Sequence, residues 1–465
     1  MRLPKVISRA TWLTALVATP LFAEPSVTPP DDAKMLQSIY RTALASRAAY
    51  DNLSDLVAKH PGRLSGSKSL EGAVLWGETA LKTAGAERTE LQPVMVPHWE
   101  RGAPESVQYF TRHGYAPSTL TAIALGGSVP TPPDGLRAPV VELRSLDELK
   151  TTDVKGKIVF FNRAMNPDYF STGRAYGEAG DARNKGAAEA AKFGAVGMLT
   201  RSLTLALDDV PHTGNTRYED GVPRIPAAAL STLASDKLSA ALKTNPGLLI
   251  RMKINSQWFP DAPSHNVIGE IKGSEFPDQI ILVGGHLDSW DNTPGAHDDG
   301  AGIVQAIEVI RLFKALGYQP RHTVRAVLFT SEENSGNGGK EYARVAGEKK
   351  EPHLLAIESD SGGFQPVSFN FGNATKDAHK LAARWQPLFA PYGIRPFIAG
   401  QGGADVHPLL EKLGYPVAGV SPDSQRYFDV HHTAIDTMDK VNPRELALGA
   451  AAMASLVYLV DQHGL

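Results

Sequence analysis

The chain has 465 residues, a formal net charge of −3, 21% charged residues and no cysteine. That length supports two or three domains around a large core. The charge balance argues against a polyanion binder, no basic run interleaved with aromatics points to nucleic acid, and without cysteine there are neither disulfides nor thiolate metal ligands.

In chain order, Arg2, Lys5 and Arg9 precede the short apolar stretch ATWLTALVATPLFA, which ends in Ala23 before Glu24. This pattern predicts a secretory signal over residues 1–23 and export to a periplasmic or extracellular space. No other apolar run reaches ~18 residues, so no membrane span is expected in the mature chain. EPSVTPPDDAK is a Pro-rich linker. Helical periodicity then runs from 31 to about 60 through Met35, Ile39, Leu44, Tyr50, Leu53 and Leu56. A second helix is predicted from about Ser69 to Ala84, with Leu70, Val74, Leu75 and Leu81 at three- and four-residue intervals.

Between about 116 and 255 the character changes. The segment is rich in Gly, Pro and short apolar runs (VVEL, KIVFFN, AVGMLT, RIPAAAL), with one helix at about 181–193. It reads as a small α/β or β-rich domain inserted into another, with no catalytic cluster of its own. From Ser264 strands and helices alternate: DQIILVGG, the helix DGAGIVQAIEVIRLFKALG closed by Gly317, TVRAVLFT, the short helix GNGGKEYARVAG, HLLAIESD, a helix at about 375–390, VAGV, and a last helix from Pro443 to about 461. Such alternation implies an α/β fold with a largely parallel sheet covered by helices.

Three of these strands deliver polar groups to one sheet edge. His286 follows DQIILVGG, Glu332 and Glu333 follow TVRAVLFT, and Asp360 ends HLLAIESD. In open α/β sheets, ligands bind beyond the carboxyl ends of the strands. Asp298 lies in the Gly-rich loop PGAHDDGAG, where its two oxygens could bridge two ions; Asp299 suits the first turn of the helix that follows. Asp288, two residues past His286, could accept the spare imidazole N–H. His431 and His432 form a neighbouring pair, of which one is expected to be a ligand. Two histidines and three carboxylates make a shell for two metal ions with one shared ligand. A spare carboxylate, Glu332, stands beside them as a base for metal-assisted hydrolysis. Asp405 and Asp436 are acidic neighbours that could hold a substrate α-amine.

The run of motifs SHNVIGEIKGS, VGGHLDSWD, GAHDDGAG, SEEN, ESDSGGF, GGADVHPL and HHTAIDT, with RLSGSKSLEGA and VPHWERG upstream, resembles the M28 family of co-catalytic zinc metallopeptidases, and within it the plasma glutamate carboxypeptidase branch. The resemblance implies a three-layer zinc-exopeptidase fold. Residues 24–115 and 256–465 would make up its peptidase domain, and 116–255 an inserted protease-associated domain. It implies two Zn2+ ions, one held by His286, Asp298 and Asp360 and the other by Asp298, Glu333 and His432, with Glu332 as general base. It also implies peptide substrates and a homodimer. His297 beside the bridging position is one departure from the family pattern. Another is His431, which stands where other branches carry the Tyr that helps bind the developing oxyanion. The expected activity is hydrolysis of short peptides or dipeptides by a metal-activated water. An aminopeptidase acting on longer peptides is an alternative. So is a non-catalytic binding ectodomain on the same fold, although such a protein should have lost ligands. A single-zinc acyltransferase fits the full ligand set less well.

Overall fold

A computed structural model describes residues 30–110, 117–372, 378–395 and 397–465; the expected signal segment lies outside the described residues. Eight strands form the larger sheet: β1 (Arg88–Glu100), β2 (Gln257–Ile271), β3 (Phe276–His286), β4 (His322–Phe329), β5 (His353–Glu358), β6 (Pro366–Gly372), β7 (Phe397–Ala399) and β8 (Val417–Pro422), in the spatial order β1-β2-β4-β3-β5-β8-β6-β7. The central four, β4, β3, β5 and β8, are parallel. Antiparallel pairings flank them on both sides.

The central strands are apolar on both faces because both faces are covered. Every residue of β4 is buried. Ile281 and Val283 of β3 point into one core, with helices Lys68–Ala84, Ala301–Ala315 and Pro443–His463. Ile280 and Leu282 point into the other, with Tyr342, Ala343 and Leu409 from helices Asn337–Lys349 and His407–Leu413. This is the helix-covered, largely parallel sheet that the alternating pattern implied, in the three layers that the resemblance implied.

Three local readings change. The periodicity of 31–60 breaks into helices Pro30–Leu44 and Ala48–Lys59. There the Ser46 hydroxyl accepts the Ala48 N–H at 3.1 Å, satisfying a helix-start donor instead of continuing the first helix. In the expected 375–390 helix, the described residues hold two short helices, Ala378–Ala383 and Gln386–Phe389. Pro387 starts the second because it lacks the N–H that would continue the first. Finally, helix Pro443–His463 is long and apolar enough to cross a membrane, contrary to the expectation that no further run is. However, 78% of its most apolar window is buried inside the protein. It packs on Ala301–Ala315 and Pro30–Leu44, and a helix surrounded by protein is apolar all round for that reason.

A second eight-stranded sheet is threaded between β1 and β2. Its strands run from Ser106–Phe110 to Leu249–Lys253, so the first lies ahead of residue 116. The two sheets are pinned together by Arg101, whose guanidinium binds both oxygens of Asp291 at 2.8 and 2.6 Å and also donates to the carbonyl of Ala124 in the second sheet's strand Ala122–Ala124. Ala175 and Tyr176 of helix Thr172–Ala179 also pack against Phe364, Tyr427 and Phe428. That contact brings the second sheet's helices over the carboxyl ends of the parallel strands.

Candidate metal centre

β3 ends at His286. Glu332 and Glu333 lie just past β4, and Asp360 lies two residues past β5. Parallel strands all present their carboxyl ends on one side, so three chain segments meet there. The bridging loop Gly295–Gly300 comes in from the side. Close approach of its helix needs Gly302, where a Cβ would stand 1.8 Å from the Ser359 carbonyl oxygen. His432 arrives on the turn after helix Tyr427–Val430, in a left-handed backbone conformation with φ 61°. Ser331, just before Glu332, has φ 63°. Such conformations in non-glycine residues persist only where the surroundings enforce them.

Asp298 sits at the middle. One carboxylate oxygen is 3.3 Å from His286 Nε2 and the other 3.3 Å from His432 Nε2. Asp360 Oδ1 lies 3.5 Å from His286 Nε2, and Glu333 Oε2 lies 3.1 Å from His432 Nε2. Both histidines have their other nitrogen committed. His286 Nδ1 faces the Asp288 carbonyl at 3.0 Å and His432 Nδ1 faces the Thr213 carbonyl at 3.3 Å. A carbonyl can only accept, so each Nδ1 carries a proton. His432, kept neutral by burial, presents a lone pair at Nε2. At His286, burial is outweighed by Asp360 with Asp288 and Asp298, which raise the imidazole well above its usual range, so a metal there would displace a proton. Both Nε2 atoms face carboxylate oxygens at 3.1–3.5 Å. Such a contact needs a shared proton or a metal cation between the two atoms. Tetrahedral ligands at zinc distances of about 2.0–2.1 Å stand about 3.3 Å apart, which is the spacing seen.

The electrostatics agree. Burial pushes the Glu332 carboxyl up to about 8, with Asp360, Asp288 and Asp298 adding to the effect and His286 opposing it. Burial and neighbouring carboxylates hold Glu333 well above its usual range, and burial raises Asp298. Burial, mutual repulsion and Arg183 keep His431 and His432 neutral, the form that binds metal. Asp298 Oδ2 and Glu333 Oε1 are buried with no hydrogen-bond partner. Such crowded acids can ionise together only beside cations, so the donor set fits a metal pair.

Asp299 also lies near His286 and Asp360. Its oxygens are already used, one accepting the His286 N–H and the other the Gly302 N–H, both at 3.0 Å. His431 lies 3.5 Å from Asp298 Oδ2 and is stacked on His432. Its carbonyl accepts from His212 Nδ1 at 2.8 Å.

Some sequence expectations are corrected. It is the Asp288 main-chain carbonyl that takes the imidazole N–H; the carboxylate, 3.6 Å from Nδ1, instead accepts the main-chain N–H groups of Glu332 at 3.0 Å and Glu333 at 3.2 Å. Asp288 thus fixes the turn that aims both glutamates. Asp436 is fully buried outside the lining of the cleft, where its oxygens accept the N–H groups of His297 and Asp298 at 2.8 and 3.0 Å, so it is not placed to hold a substrate amine. Asp405 is buried beside Glu358, outside the lining of the cleft.

The ligand set opens into a cleft of about 360 Å³ whose far wall comes from the second sheet's domain: Tyr176, Arg183, Asn184, Asn215 and Arg217. Tyr427, whose hydroxyl is directed at Asp298, lines it too. No sequence cluster points to these six, which lie on four separate stretches of chain. Arg63, fully buried, was likewise missed. It donates to the carbonyls of Leu287, Pro294 and Gly295 at 2.7, 2.7 and 3.1 Å and so braces β3's end against the bridging loop.

Residues 266–457 match the model of peptidase family M28. The chain is 35% identical to carboxypeptidase Q of Bos taurus and of Homo sapiens, covering 92% of this chain and 89% of each relative. It is similar to a crystal structure of a peptidase M28 precursor from Shewanella amazonensis, with TM-score 0.87, 35% identity, and coverage of 93% of this chain and 97% of that one. An aminopeptidase from Aneurinibacillus sp. strain AM-1 shares the fold, with TM-score 0.62, 23% identity, and coverage of 91% and 95%. With the site just described, these likenesses make the chain a metallopeptidase. More narrowly, it belongs to peptidase family M28.

Proposed function

We propose that this is an exported di-zinc exopeptidase that hydrolyses short peptides. The observation that carries the reading is the pair of imidazole Nε2 atoms, His286 and His432, facing carboxylates at zinc-ligand spacing on either side of Asp298. His286, Asp298 and Asp360 would hold one ion and Asp298, Glu333 and His432 the other, Asp298 serving both. When bound, the ions would supply Lewis acidity for the scissile carbonyl and lower the pKa of water toward ~7.

The chain's own residues do the rest. Glu332 faces the cleft and, with its elevated proton affinity, is suited to take a proton from the attacking water and pass it to the leaving amine. Asp288 holds its main chain in place. The His431 imidazole and the Tyr427 hydroxyl, on one wall, are candidates to meet the developing negative charge. The second sheet's domain, which we read as the protease-associated insert, closes one side of the cleft and supports a limit on substrate length. Residues 1–23 would direct export. A zinc aminopeptidase from Bacillus subtilis shares this fold, which is consistent with the choice of metal.

The test is a panel of free dipeptides, longer free peptides and a long peptide blocked at both ends, run with zinc and with a chelator. Zinc-dependent cleavage confined to free short peptides is expected. Efficient internal cutting of the doubly blocked peptide would overturn the exopeptidase reading.

A further inference from the structure

The turn that carries His432 is not held by the peptidase half of the chain alone. It exchanges two hydrogen bonds with one residue of the second sheet's domain. The His432 ring donates from Nδ1 to the Thr213 carbonyl at 3.3 Å, and the Thr213 N–H donates to the His432 carbonyl at 3.1 Å. One residue earlier, His212 Nδ1 donates to the His431 carbonyl at 2.8 Å. The turn's own bond, from the Thr433 N–H to the Val430 carbonyl at 3.1 Å, closes the chain but reaches neither imidazole. His432 has φ 61°. A left-handed non-glycine residue persists only where its neighbours enforce it, and Thr213 is one of those neighbours.

The segment 212–215 is itself fixed at the seam between the two sheets. The Thr213 hydroxyl donates to the Ala124 carbonyl at 2.9 Å, and the Gly126 N–H donates to the Gly214 carbonyl at 3.0 Å. Gly126 lies against Trp290, in the loop that follows His286, where a Cβ would stand 1.9 Å from the indole. Trp290 is fully buried, and its ring meets the edge of the His432 ring with centroids 5.6 Å apart. Asn215 adds a further tie, donating from Nδ2 to the Asn334 carbonyl at 3.1 Å, next to Glu333.

The ligands of the other ion are supported from within the peptidase half. His286 Nδ1 meets the Asp288 carbonyl, the His286 N–H meets Asp299 and the Asp298 N–H meets Asp436, each at 3.0 Å. Just ahead of Asp360, the Ser359 N–H donates to the Gly284 carbonyl at 3.1 Å and its hydroxyl to Gln305 at 2.7 Å. Outer partners that fix a ligand's tautomer and orientation change metal affinity about 10- to 100-fold. The two ions should therefore depend unequally on the second sheet's domain.

We propose that His212, Thr213 and Asn215 are positioning residues through which the second sheet's domain completes the site of Asp298, Glu333 and His432, while the site of His286, Asp298 and Asp360 stands without it. This rests on the two-ion reading and deepens it. The coupling is reciprocal: contact at the seam favours the ion at His432, and that ion holds the domain against the turn. Loosening the seam releases one ion and keeps the other.

The experiment measures zinc affinity, by competition with a chelator, in two one-site backgrounds. Glu333→Ala leaves the His286 site intact and Asp360→Ala leaves the His432 site intact. Adding His212→Leu should weaken zinc binding about 10- to 100-fold in the Asp360→Ala protein and less than about twofold in the Glu333→Ala protein. His212→Asn, whose amide can donate from the place of Nδ1, should restore most of the loss. Asn215→Ala is a milder change; it should give a severalfold loss with the same selectivity, and it decides if His212→Leu does not fold. Hydrogen exchange supplies a separate readout. The Thr213 amide should exchange about tenfold more slowly when the Asp360→Ala protein is loaded with zinc, and at an unchanged rate when the Glu333→Ala protein is loaded. Equal losses in the two backgrounds, no loss in Asp360→Ala, a His212→Asn protein no better than His212→Leu, or a Thr213 amide indifferent to zinc would overturn the proposal. A wild type that binds one zinc or none would instead overturn the two-ion reading beneath it.

Discussion

Stripping the metal should make the fold's stability fall as pH rises, and restoring zinc should cancel that fall. Asp436 shows the size of the effect. Burial, with Asp298 nearby, moves its carboxyl from 3.8 to about 7. An unfolded chain releases this proton near 3.8, whereas the folded chain keeps it until about 7. In that window the folded state holds the extra proton, so the contribution is complete below 3.8 and is lost as pH rises through about 7. At about 1.4 kcal/mol per pH unit the span is about 4 kcal/mol. For a chain of this length, with unfolding entropy near 1 kcal/mol per degree, that is about 4 °C. Glu332, raised to about 8, acts with the same sign. Bound cations remove the need for these protons. Thermal unfolding of chelator-treated and zinc-restored protein between about pH 5 and pH 8 measures this directly. The zinc-dependent increment in Tm should grow by several degrees across that range. An increment that is flat, or larger at low pH, would refute the reasoning.

Glu332→Gln should cut kcat by the ~10²–10⁴-fold typical of a lost general base while zinc content stays near that of the wild type; Asp298→Ala should instead lose zinc, as elemental analysis will show. Asp288→Ala should lower kcat by about 10²-fold through misplacement of Glu332, because it removes the acceptors of two main-chain N–H groups. His212→Ala should weaken zinc binding about 10- to 100-fold by freeing the turn that carries His431 and His432, which zinc titration against a competing chelator can follow.

The parallel core was legible because each of its strands is an apolar run followed at once by a polar group. A strand buried on both faces allows no other pattern, and the ends of such strands mark the site edge. Pairings to which sequence has no access were harder to read. Asp288 was placed beside His286 correctly, but its use was not: two residues along an extended chain bring both groups to one face, and only the three-dimensional path of the Ser331–Glu333 turn shows that the carboxylate serves that turn. Arg63, Tyr176 and Arg183 lie over a hundred residues from the metal-site residues of the later half of the chain. In sequence, a lone arginine that ends up buried looks like any surface arginine. The break near Ser46 was hidden for a different reason, because apolar periodicity on both sides stays in phase across a two- or three-residue turn.

The central claim is that this cleft works with two ions held by five side chains. Titrating zinc into rigorously metal-free protein, while following activity on a free dipeptide and bound metal per chain together, tests it most directly. Activity should be absent at the start and should level off at about two zinc ions per chain, with Asp298→Ala failing to reach that plateau. Full activity in the metal-free protein, or a plateau at one ion with no further binding, would contradict the account.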